Sequence, residues 1–189
     1  YWAEPINALT NASFVLAAIW AAYEARKRGL TQPIRWILIP MAGLIGIGSY
    51  LFHTHANRWS ELADTLPIWS FVGLFVLAAM HYVGGMPVAR VLRVAGFIVV
   101  AVVLTIWLLA SGEGADSAAH AADPLNGSGQ YAPALIALLV FSFFTWKRQS
   151  PAGPWIWAAT LTFLVSLTFR TFDVAVCAAF PLGTHFMWH

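Results

Sequence analysis

Thiol chemistry is all but absent: Cys177 is the single cysteine in 189 residues, so no internal disulfide can staple the fold. Charge is scarce too, with Asp, Glu, Lys and Arg together making 10% of the chain. The net charge of +2 comes from basic residues scattered in loops. Without a basic patch, a nucleic-acid partner is not expected. No His-Glu-x-x-His segment occurs, which removes the local signature of a zincin protease. No internal repeat is apparent. The chain opens on Tyr1 and no basic stretch precedes the first apolar run, so no cleavable signal is visible. Its true beginning is expected to lie further upstream.

What fills the chain is hydrocarbon. The apolar fraction is 60%, against the roughly 45–50% usual in soluble proteins. Mean hydropathy is +0.71. Several runs approach the roughly 20 residues needed to cross a bilayer core. The reading is an all-α, polytopic membrane bundle of seven helices, forming a single membrane-embedded domain over residues 1–189.

Six spans are expected at about Asn7–Tyr23, Ile34–His55, Trp59–Tyr82, Val91–Leu109, Tyr131–Trp146 and Trp155–Ala178. The turns between them carry Pro33, Gly84-Gly85-Met86-Pro87 and Lys147-Arg148-Gln149-Ser150-Pro151. Residues 111–130 read as a polar, glycine-rich loop. Pro181-Leu182-Gly183 then opens a seventh helix that stops at His189, truncated after two turns. Eight or nine helical residues rise only about 12–14 Å, under half the hydrocarbon thickness, so about a dozen further residues are expected. Gly43, Gly46, Gly48 and Ser49 are small enough to bring the second span close to a neighbour.

Eight of the ten Lys and Arg residues fall on one set of alternate loops: Arg26, Lys27, Arg28, Arg35, Arg90, Arg93, Lys147 and Arg148. Cytoplasmic loops carry that excess, so the N-terminus is predicted to be non-cytoplasmic. On the same outer side lie Arg58 and the loop acids Glu113, Asp116 and Asp123. This topology places His53, Asp64, His185 and His189 at one depth, on three different helices and level with Glu4.

Ser49 and His53 are four residues apart and share a helix face. His185 and His189 repeat the spacing, which lets two imidazoles grip one ion. Three histidines with an open fourth position suit catalytic zinc. In such a site Asp64 can take a proton from water, and Ser49 can donate to a developing oxyanion. His55 sits about 200° from His53 on the helix and is read as a bystander.

Plainer readings stand beside these. An intramembrane histidine often serves only helix packing, and so does a residue like Ser49. Asp64 can simply cap the third span. Arg170 and Asp173, three apart, read as an internal ion pair with a supporting role near the site as the alternative. Glu4, Asn7 and Asn11 offer oxygen ligands suited to calcium, or else Asn7 caps the first helix with Glu4 favourably placed on its dipole. His81 and His120 are read as incidental. A haem bundle is disfavoured, because an i,i+4 pair suits a small ion better than two axial ligands.

With these residues in view, the chain resembles the alkaline ceramidase family, within the wider group that includes the adiponectin-receptor-type membrane hydrolases. The resemblance is carried by Glu4-Pro5 with Asn7, Ser49-x-x-x-His53, Asp64 and His185-x-x-x-His189, and it runs through nearly the whole chain. It implies a zinc amidase that splits ceramide, or a related lipid amide, into sphingoid base and fatty acid. Zinc would be held by His53, His185 and His189, with Ser49 and Asp64 acting on carbonyl and water. The family's calcium site near the N-terminus matches Glu4 and Asn7 in part, while Tyr1 stands where an aspartate is expected. A seven-span receptor with a structural zinc site is the alternative, although such a site needs neither Ser49 nor Asp64. Oligomeric state and acyl-chain preference are not legible.

Overall fold

The computed structural model describes residues 4–111 and 123–189, so Tyr1, Glu113, Asp116 and His120 lie outside the described residues. The architecture is all-helical, with no strand among the described residues. Helix α1 (Pro5–Thr10) runs into α2 (Ala12–Lys27) through Asn11. Next come α3 (Pro33–His55), α4 (Arg58–Tyr82), α5 (Val88–Ser111), α6 (Ala132–Lys147) and α7 (Gly153–Val176). With α1 and α2 taken as one segment, six helical segments among the described residues are long and apolar enough to cross a membrane, as expected of a multi-pass membrane protein.

Local chemistry sets the helix boundaries. Prolines stand in the first turn of α1, α3, α6 and α7, where their missing N–H costs nothing. Helix α3 ends at Ala56, whose φ of 46° is left-handed and reverses the chain. Asn57 then caps α4 reciprocally: its side chain accepts from the Ser60 N–H, and Ser60 Oγ accepts from the Asn57 N–H, both at 3.1 Å. Asp64 is therefore inside α4, and the cap belongs to Asn57.

Two glycines decide how close α3 comes to its neighbours. A Cβ on Gly48 would collide with the Ala63 carbonyl, so α3 and α4 touch backbone to backbone beside Ser49 and Asp64. A Cβ on Gly46 would come within 2.6 Å of the Asn11 carbonyl oxygen and 2.9 Å of Phe14 Cβ. Small residues thus bring α1, α2 and α4 against one stretch of α3. The main-chain bond from Glu4 N–H to the His53 carbonyl (3.1 Å) ties the start of α1 to the last turn of α3.

Helices α6 and α7 form a second antiparallel pair, joined in its buried seam by the Ser142 and Thr160 hydroxyls at 2.9 Å. At the basic pole, Arg148 donates to the Val83 carbonyl (2.9 Å), linking the ends of α6 and α4. Among the described residues α5 packs only on α4, and Leu92, Phe97 and Trp107 on it are exposed. Before α6, the Asp123 carboxylate accepts from the Leu125 and Gly127 N–H groups, which hold its carboxyl below the usual range.

The expected seventh helix is corrected in form. Residues His185–Met187 make a 3-10 turn instead of two α-helical turns. Its hydrogen bonds span three residues, from Met187 N–H to Thr184 O (3.0 Å) and Trp188 N–H to His185 O (2.8 Å). Gly183 just before it has a φ of 63°, a left-handed conformation that interrupts any helix started at Pro181.

Candidate metal centre

The last turn of α3 delivers His53, which is buried, the 3-10 turn delivers His185, and His189 follows two residues after that turn. The three rings form a nearly equilateral triangle, with centroid separations of 5.2 Å, 5.0 Å and 5.2 Å. Their ligand nitrogens all lie within 4.8 Å of one another. Three imidazoles so placed can hold a metal ion between them.

Two of the rings have their outward nitrogens engaged. His53 Nδ1 lies 2.6 Å from Glu4 Oε2. An ionised carboxylate only accepts, so Nδ1 carries the proton and Nε2 keeps its lone pair. That bond, helped by the Asn7 amide, holds the Glu4 carboxyl down at about 2, against the opposing pull of its partial burial. His189 Nδ1 lies 2.9 Å from Thr10 Oγ1. The Thr10 hydroxyl donates to the Ile6 and Asn7 carbonyls, both at 3.1 Å, which leaves it an acceptor for His189. His189 Nε2 is then also a lone pair. Helix α1 thus orients ligands on two different elements.

Ser49 is buried one turn before His53, and it faces the Asp64 carboxyl across the close α3–α4 contact. Asp64 Oδ1 is buried and has no hydrogen-bond partner. An acceptor left open within electrostatic reach of His53 is where a polar ligand or water belongs, as an occupied metal site would supply. The donor set and this open acceptor fit a metal ion.

Arg170 borders the same space. Its guanidinium stacks over the rings of Tyr131 (5.4 Å) and Trp188 (5.6 Å), and its Nε is buried without a partner. The expected ion pair with Asp173 is not formed. Asp173 Oδ1 instead accepts from the Thr184 and His185 N–H groups at 2.6 Å and 2.9 Å, and Arg170 turns towards the aromatic pair.

The remaining expectations sort clearly. Asn7 does not cap α1; its side-chain amide donates to Glu4 Oε2 at 2.7 Å. Asn11 is fully buried and donates to the Asn7 carbonyl (2.8 Å). His55 is exposed beside Trp59, and His81 meets the Met86 carbonyl (2.8 Å) at the other end of α4.

Compared with known proteins, residues 1–189 match the pattern of the family described as Ceramidase. The chain belongs to the ceramidase family. A stretch of 69 residues is 44% identical to alkaline ceramidase YPC1 of Saccharomyces cerevisiae, covering 36% of this chain and 21% of the yeast protein. The match thus spans about a fifth of that relative's length. No solved structure matches.

Within this ceramidase-family chain, sequence reasoning passed over Thr10, Tyr131 and Trp188 as contributors to the site. Thr10 carried a faint signal, since it lies on the same short helix as Asn7. Nothing local announced that Tyr131 and Trp188, 57 positions apart in the chain, would meet at a centroid distance of 4.8 Å.

Proposed function

We propose that this chain is a zinc-dependent intramembrane amidase acting on ceramide or a closely related lipid amide. The observation that carries the reading is the convergence of three imidazoles from two elements beside a buried, unpaired carboxylate oxygen. Membership of the ceramidase family supports the substrate class.

His53, His185 and His189 would hold zinc, which when bound would supply a Lewis acid and lower the pKa of water. Asp64 takes the proton of the attacking water at its open Oδ1. Ser49 donates a hydrogen bond to the amide carbonyl oxygen as negative charge develops there. The amide C–N bond breaks, and the sphingoid amine leaves with a proton returned from Asp64. Lying over the rings of Tyr131 and Trp188, Arg170 presents its unpaired Nε–H to an oxygen of the substrate headgroup or of the departing carboxylate.

Calcium would use the corner formed by Glu4 and Asn7. Glu4 Oε2 is already shared by His53 and the Asn7 amide, so such an ion would draw on Glu4 Oε1 and the Asn7 side-chain carbonyl. Calcium titration of the full chain, read against a Glu4→Gln variant, tests that corner separately. The distribution of Lys and Arg supports a non-cytoplasmic position for the histidines and the N-terminus, which an N-terminal reporter fusion checks.

The deciding experiment combines metal analysis with product analysis. Purified protein should carry one zinc per chain and release fatty acid from ceramide. A mass-spectrometric survey of lipid amides defines the preferred acyl chain. His185→Ala should lose zinc and activity while keeping its helical content; unchanged activity would sink the ligand assignment. Zinc without turnover on any lipid amide would favour a structural metal in a receptor-like protein.

A further inference from the structure

We propose that Asp173 is a positioning residue for the metal centre, acting through the backbone of His185. The inference rests on the metal reading above. His53 rides on a long helix, and His189 is braced by Thr10. His185 begins a turn of three residues, too short to hold its own geometry.

What supports that turn is α7. Asp173 Oδ1 accepts from two consecutive main-chain donors, Thr184 N–H at 2.6 Å and His185 N–H at 2.9 Å. These lie at the start of the 3-10 turn, where a short helix leaves its donors unmatched. Thr184 Oγ1 adds a second stitch by donating to the Phe169 carbonyl at 2.7 Å. Gly183 makes the approach possible: a Cβ there would land on the Asp173 carboxylate. Its left-handed φ of 63° also directs the two following N–H groups to one acceptor.

The ring of His185 is carried by the Cα bonded to the nitrogen that Asp173 grips, so the carboxylate fixes where this ligand starts. Arg170 points elsewhere, which leaves the charge of Asp173 for the turn. The hydrogen bonds of the carboxylate go to main-chain donors and not to the imidazole rings. Its contribution is to set the third ligand before an ion arrives.

The test is zinc titration of the full chain in detergent micelles, after removal of metal by a chelator, against a competing chromophoric chelator. Wild type should take up one zinc. Asp173→Ala should weaken zinc binding about 10- to 100-fold. Asp173→Asn keeps an oxygen that can accept both N–H groups and should restore binding close to wild type, a rescue that a role depending on charge alone would not give. If Asp173→Ala does not fold, Gly183→Ala reads the same contact from the other side and should weaken zinc similarly. Wild-type affinity in Asp173→Ala, or in Gly183→Ala standing in for it, would overturn the proposal. Equal losses in the Asn and Ala variants would overturn it as well. A wild-type protein that takes up no zinc would instead remove the metal reading, and this inference with it.

Discussion

The two halves of the candidate metal centre are built in opposite ways. His53 belongs to a helix of 23 residues whose register is set by its own backbone ladder and by backbone contact with α4. His185 and His189 sit on a turn of three residues and its flank, held by side chains from other elements. One half is rigid because of local structure. The other is held by groups that α1, α2 and α7 bring to it, so changes remote from the rings act on it selectively.

Removing a ligand from either half gives the largest effect. His53→Ala and His189→Ala should each lower ceramide hydrolysis by at least about 100-fold, because a lost metal forfeits several kcal/mol of charge stabilisation. Fatty-acid release in micelles measures this, and equal losses would show that the halves act as one site. Next is Gly48→Ala, which forces a methyl into the Ala63 carbonyl. It should destabilise the α3–α4 pair by about 1–3 kcal/mol and separate Ser49 from Asp64. Thermal unfolding that matches wild type would show that the helices part without strain.

The terminal half is probed more gently by Thr10→Val, which removes the acceptor for His189 Nδ1. Zinc affinity should fall about tenfold with little change in the unfolding of the metal-free protein. The same substitution cannot reach His53, whose partner is Glu4. The smallest effect is expected from Asn57→Ala. Loss of the α4 cap should cost about 1 kcal/mol in thermal unfolding and leave zinc affinity unchanged.

The same contrast explains what was legible in the sequence. The helices of the long spans follow from apolar length and proline position, and the facing of Ser49 and His53 follows from a spacing of four. Gly48 and Gly46 announced close approach, although not which neighbour each would meet. The terminal segment defeated helical reasoning because the i,i+4 histidine pair meets around a 3-10 turn that a left-handed glycine and a distant carboxylate impose. Arg170 and Asp173 misled for a related reason. Proximity along a helix says that two charges can pair, and it is silent about better partners arriving from elsewhere in the chain. Asp173 found two main-chain donors, and Arg170 found two aromatic faces.

Helix α5 bears on the setting of the site more than on its chemistry. At 24 residues it is about 36 Å long, beyond a hydrocarbon core of about 30 Å, and among the described residues it leans on α4 alone. A long helix with one neighbour relieves hydrophobic mismatch by tilting. In a thinner bilayer α5 can lean over while the α3–α4 contact that aligns Ser49 with Asp64 keeps its backbone fit. The thickness of the host membrane is then absorbed at the edge of the bundle, away from the histidines.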